Sequence, residues 1–154
     1  MTRVFDTLDE FTSVVGEELG TSSWVTVRQE QIDRFAEATG DRHWIHVDPQ
    51  RAAQGPFGTT IAHGYLTLSL LAAFAEEIYR VDGLATSVHY GADKVRFCAP
   101  VPVGSRLRGT ATLTDTAEGR NGTRTTIRFE VEREGSDQPA LVADVLLIMA
   151  ATPP

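Results

Sequence analysis

The alternation of apolar and polar residues is clearest in the second half of the chain. SRLRGTATLT sets Leu107, Ala111 and Leu113 against Arg106, Arg108, Thr110 and Thr112. TTIRFEVE sets Ile127, Phe129 and Val131 against Arg128, Glu130 and Glu132. A period of two residues sends each set to one face, so both runs predict strands with one packed face and one wet face. Asn121–Gly122 between them marks a tight hairpin turn. After a second turn, GSDQP, the run ALVADVLLIMA is almost continuously apolar, as suits a central strand. Residues 84–98 are also β-rich.

The first half reads at helical spacing. Phe5, Leu8, Phe11, Val14 and Val15 predict a short N-terminal helix over 5–19, so that residues 1–20 form a helical extension. A short β-rich run follows at 22–27. Residues 28–40 predict a helix with Ile32, Phe35 and Ala36 in one buried stripe and Gly40 as its stop. A polar and aromatic loop occupies 41–60. The next helix, about 63–80, carries Tyr65, Leu66, Leu68, Leu70, Leu71, Phe74 and Ile78 around nearly its whole circumference. Such a helix has to be buried on most sides, and in a short chain a curved sheet is what can wrap it. The order of elements predicts one α+β domain over 1–154, with an antiparallel sheet around a long central helix.

The 154 residues suffice for one domain with its own core. Acids outnumber bases 21 to 14, for a net charge of −7, which disfavours nucleic-acid binding by phosphate neutralisation. The single cysteine, Cys98, excludes a disulfide framework and a cysteine-based zinc cluster, and it falls where a packed residue is expected rather than a nucleophile. The N-terminus has acids where a signal peptide needs an apolar core. The longest apolar run, 61–75, is too short for a bilayer and ends at Glu76–Glu77. A reduced, soluble, cytoplasmic protein without membrane contacts is expected.

Three stretches offer chemistry. In Gly40-Asp41-Arg42-His43-Trp44-Ile45-His46, Asp41 and His46 sit five residues apart just past a helix end. A carboxylate that orients an imidazole makes a proton-transfer pair near neutral pH. A capping aspartate beside a buried histidine is the competing reading. A metal held by His43, His46 and Asp48 lacks ligand spacing on one helix face, and no metal is expected. In Ala62-His63-Gly64-Tyr65, a glycine opens the buried helix, where unpartnered N–H groups suit a developing oxyanion. Ser69 on that helix either faces the site or bonds back to a carbonyl. From Lys94 to Thr114 there are four bases and no acid: Lys94, Arg96, Arg106 and Arg108. They either meet a phosphate-bearing ligand or pair with Glu130 and Glu132 across a sheet. No GxSxG elbow, phosphate-binding GxxxxGK[ST] loop or GxGxxG fingerprint is present.

Together, G-D-R-H-W-I-H, A-H-G-Y-L-T-L-S and Y-G-A-D-K-V-R-F-C-A-P-V-P-V-G-S-R resemble the MaoC-like hydratase/dehydratase family, and more narrowly its nodulation-protein-N-like branch. The resemblance spans about residues 20–150. It implies a hot-dog fold, a sheet wrapped around a central helix, and a dimer with sites at the subunit interface. A homodimer is expected, with a heterodimer of related chains as the alternative. It implies an (R)-specific enzyme that interconverts trans-2-enoyl and (R)-3-hydroxyacyl thioesters, with coenzyme A or acyl carrier protein as the carrier. The thioester is then substrate, and no cofactor is implied. On this resemblance Asp41 and His46 are catalytic and the Gly64 N–H binds the thioester carbonyl. His43, Trp44, His63, Tyr65 and Ser69 are substrate-binding, and Lys94, Arg96, Arg106 and Arg108 are candidate contacts to coenzyme A phosphates. Two departures stand out: His43-Trp44 where the best-known hydratases have Asn-Pro, and His89 where an asparagine is expected. A non-catalytic acyl-thioester-binding module and a hot-dog thioesterase are the alternatives; the intact G-D-x-x-x-x-H pattern points away from the thioesterase.

Overall fold

The N-terminal segment departs from the expected helix. In a computed structural model, which describes residues 1–153, the chain opens on strand β1 (Arg3–Phe5), makes a five-residue helix α1 (Leu8–Thr12) and enters strand β2 (Glu18–Thr21). Thr7 caps α1 by accepting from the Glu10 amide at 3.1 Å. The helix ends before two β-branched valines and Gly16, whose φ of 93° is left-handed. Phe5 and Phe11 are buried as expected but lie on different elements, while Val15 is 43% exposed. Apolar residues that fall by chance three apart, at 5, 8, 11 and 14, explain the false period.

A two-residue strand β3 (Val25–Thr26) precedes α2 (Gln29–Thr39), which buries Ile32 and Ala36. The loop expected over 41–60 contains two short helices, α3 (Trp44–Val47) and α4 (Pro49–Ala53). The long helix α5 (Gly64–Ile78) follows, and then β4 (Tyr79–Val81), which pairs in parallel with β1.

Four long strands complete the fold: β5 (Leu84–Phe97), β6 (Arg106–Gly119), β7 (Gly122–Arg133) and β8 (Leu141–Ala151). The sheet order is β2-β6-β7-β8-β5, antiparallel throughout, with β3 also paired to β6. The hairpin closes at the expected turn, with Gly119 opposite Gly122. The apolar run 140–150 forms β8, flanked by β7 and β5.

Leu107, Ala111, Leu113, Ile127, Phe129 and Val131 all turn into the core against α5, which contributes Leu66, Leu71, Phe74 and Ile78. The helix packs on β6 at Gly109, where an added Cβ would lie 2.8 Å from the Phe74 ring. One chain does not wrap α5 completely. Tyr65 is 71% exposed, and Ser69, Ala72 and Ala73 are exposed along the same helix. The open side faces β5, whose other edge is unpaired and which is exposed at nearly every position.

Candidate active site

The pair singled out by spacing is brought together by a tight sequence of turns. Gly40 ends α2 in a left-handed conformation, φ 81°, its N–H donating to the Ala36 carbonyl at 2.9 Å. Asp41 follows at the surface. His43 Nδ1 accepts from the Ile45 amide at 3.3 Å and so caps α3. An Asn-Pro pair at these positions would supply a strong cap and a preorganised first helical residue. His43 therefore keeps the capping role although the residue differs.

His46 lies in α3, 8% exposed. Its Nδ1–H donates to the Ile61 carbonyl at 2.7 Å, so Nε2 carries the lone pair. The Ile61 amide bonds back to the Ile45 carbonyl at 3.0 Å. Gln29 adds a second clasp: its Nε2 donates to the His46 carbonyl at 2.7 Å, and its Oε1 accepts from the Thr60 hydroxyl at 2.5 Å. Burial is the main cause that holds the His46 pKa below the ordinary imidazole value. The hydrogen bond to Ile61 opposes it, His63 and His43 lower it further, and Asp41 raises it.

His63, the last residue before α5, completes the cluster. Its Nε2–H donates to the Asp41 backbone carbonyl at 2.9 Å, and its ring stacks on His46 with centroids 3.8 Å apart at 24°. One ligand-type atom from each of Asp41, His46 and His63 lies within 4.8 Å of the others. Near-parallel stacked rings send their in-plane lone pairs side by side, not toward one point, so this trio is a poor metal cradle. His43, His46 and Asp48 do not form a cradle either, because Asp48 caps α4 by accepting from the Arg51 amide at 3.0 Å.

Gly64 begins α5 directly beside this cluster, and its amide has no partner within the helix. A Cβ there would lie 3.1 Å from the Phe97 ring, so the ring of β5 rests on bare backbone.

The remaining expected residues are placed less uniformly. Ser69 bonds back to the Tyr65 carbonyl at 2.7 Å and lines a cavity of about 500 Å³ with Leu68, Leu71, Ala72, Tyr90 and Val145. His89 lines the same cavity. Tyr65 is exposed, edge-on to Phe97 at 6.3 Å. Trp44 packs under Arg51, 4.5 Å from its ring, and against Gly55, so its contacts support the α3–α4 turn. His63 is 2% exposed, which leaves it almost no surface for a ligand.

The basic stretch does not form one patch. Lys94 and Arg96 are on β5, Arg106 and Arg108 on β6, with β7 and β8 between them. That is about 14 Å across the sheet at normal strand spacing. Arg106 pairs with Glu134 at 2.7 Å, Arg108 pairs with Glu132, and both sit over Trp24. Lys94 lies 3.8 Å from Asp144. Among the described residues, only Arg96 of the four has no carboxylate partner. The cross-strand reading thus holds for Arg108 with Glu132, whereas Arg106 pairs with Glu134 and the expected Glu130 stands opposite Thr110.

Gln29, Thr60 and Phe97 went unnoticed as site residues. Gln29 is 17 positions before His46 and carries no local signal; the Phe97 role follows only from strand β5 passing over the start of α5.

Three comparisons place this architecture. A MaoC like domain model matches residues 10–135. A Mycobacterium tuberculosis protein named 3-hydroxyacyl-thioester dehydratase Z is 50% identical over 146 residues, 94% of this chain and 97% of that one. Nodulation protein N of Rhizobium leguminosarum bv. viciae is 44% identical over 149 residues, 95% of this chain and 92% of its own. Among solved structures, the unliganded R-hydratase PhaJ1 from Pseudomonas aeruginosa superposes with a TM-score of 0.73 at 22% identity, covering 90% of this chain and 83% of that one, which shows a shared fold.

Proposed function

The chain belongs to the MaoC-like dehydratase family, and on that premise we propose that it is an (R)-specific hydratase/dehydratase that interconverts trans-2-enoyl and (R)-3-hydroxyacyl thioesters, acting in the cytoplasm as a homodimer. The observation that carries this reading is the Asp41–His46 pair beside the free amide at the start of α5. Proton transfer and oxyanion stabilisation are the two things that water addition to an enoyl thioester requires.

In the hydration direction, water held between the Asp41 carboxylate and His46 Nε2 attacks the β-carbon. Electrons of the C=C bond move toward the carbonyl, whose oxygen becomes enolate-like. The Gly64 N–H and the positive end of the α5 dipole face that oxygen. The proton taken from water passes through the pair to the α-carbon on the same face, which restores the thioester. Hydroxyl and hydrogen of one water are added, no electrons are gained or lost, and no cofactor is needed; coenzyme A enters as part of the substrate. The cavity beside Leu68, Leu71 and Val145 supports a place for the acyl chain. Of the four bases named for the carrier phosphates, Arg96 is the one kept in this reading.

The test is hydration of crotonyl-CoA and longer trans-2-enoyl-CoAs, followed by loss of the enoyl absorbance, with chiral analysis of the product. The wild type should turn over at least one chain length to the (R) alcohol. Asp41→Asn and His46→Gln should each lower kcat by about 10²- to 10⁴-fold, the usual contribution of acid–base residues. A wild type that binds acyl-CoA without turnover at any chain length, or one that releases free thiol instead, would overturn the proposal.

A further inference from the structure

His63 touches every part of the site yet is almost wholly buried. Its Nε2–H holds the Asp41 carbonyl at 2.9 Å. One face of its ring covers His46 at 3.8 Å, and Phe35 lies 4.9 Å from its centroid at 54°. The next residue in the chain is Gly64. A carbonyl only accepts, so the bond to Asp41 puts the ring proton on Nε2 and leaves a lone pair on Nδ1. Nδ1 is buried without any hydrogen-bond partner. Unsatisfied buried polar atoms are rare and call for an explanation. A leucine or phenylalanine would fill the same space with no such atom, but neither would hold the Asp41 carbonyl.

We infer that His63 is a positioning residue: its stacked ring and its single N–H lock Asp41, His46 and the Gly64 amide into one rigid frame. It touches no reacting atom. The inference rests on the hydratase reading, and it differs from the substrate-binding role that the sequence resemblance implies for this residue. Errors of about 1 Å in such a frame cost rate far more than binding, because alignment matters most in the transition state.

Two variants separate the ring from the N–H. His63→Phe keeps a flat ring over His46 and loses the donor. His63→Gln loses the ring and keeps an N–H at similar reach. Both are compared with wild type by steady-state kinetics on the preferred enoyl-CoA and by crystal structures. His63→Phe should lower kcat by about tenfold or more while KM stays within about threefold, and the Asp41–His46 separation should widen by about 1 Å. His63→Gln should recover part of the lost kcat and hold Asp41 in place. The inference is overturned if Asp41 and His46 keep their separation in His63→Phe, whatever the turnover. It is also overturned if KM rises in step with the loss, which would mark a binding role. An inactive wild type would defeat the hydratase reading alone, since the crystallographic comparison needs no turnover.

Discussion

His46 carries an environmental bias that has a sign. Burial disfavours its charged form, so its pKa lies below the ordinary value of about 6.5. The neutral, lone-pair form with Nε2 free is then populated to lower pH than in a free imidazole. If neutral His46 takes the proton from water, the acid limb of kcat/KM should fall below about pH 6.5, and an NMR titration of the ring should give a midpoint there. Asp41→Asn removes a carboxylate that favours the imidazolium, so the ring midpoint should move further down. A midpoint above the ordinary value would contradict the burial argument. The same shift affects stability. As pH drops through about 6.5 the unfolded chain takes up a proton that the folded chain refuses, so the His46 contribution turns against folding until the lower folded-state pKa is passed. At this scale Asp41 and His46 were legible because residue type and spacing survive in one short loop. The clasp by Gln29 was not, because a glutamine at the start of a helix looks the same whether it meets water or a backbone carbonyl.

Strands β6 and β7 were legible from a sustained period of two, and β8 and α5 from long, nearly continuous apolar stretches, signals that one chance residue does not break. The N-terminal helix was misread because five apolar positions over fifteen residues fit a helix and a strand–turn–helix equally well, and Gly16 and the paired valines decided between them. Element contacts also set local tolerance. At Gly109 on β6 the Phe74 side chain of α5 fills the space a side chain would need. Gly109→Ala should therefore destabilise the fold by about 1–3 kcal/mol, the typical cost of overpacking. Denaturant unfolding should show the loss as a lower midpoint at unchanged slope. Phe74→Leu combined with Gly109→Ala should recover part of it; a single variant as stable as wild type would show that the helix shifts freely.

The whole molecule presents an unfinished surface. Strand β5 offers an unpaired edge, and Val88, Tyr90, Phe97 and Tyr65 are large apolar side chains left exposed near it. An edge strand with exposed apolar neighbours invites pairing with another strand. Phe97 also rests on Gly64, so anything that orders β5 bears on the proposed oxyanion site. In the proposed homodimer this surface is shared between copies. Sedimentation velocity should give twice the chain mass, and Tyr90→Arg with Val88→Lys should give the single-chain mass together with a loss of turnover. A fully active single-chain species in the wild type would sink the interface assignment. Net charge says little at this scale, since −7 averages over paired charges such as Arg106–Glu134 and Arg128–Asp144.

By itself the sequence determined which segments become the four long strands and the long helix, which faces β6 and β7 bury, and where an aspartate, a histidine and a helix-opening glycine recur at chemically useful intervals. These are local properties, set by backbone period and residue type. The tertiary structure alone decided that His63 is buried with its ring stacked on His46. It also split the four bases between two well-separated strands and left one side of α5 bare. Each of these depends on which residues meet across tens of positions, and short-range pattern carries no record of such meetings.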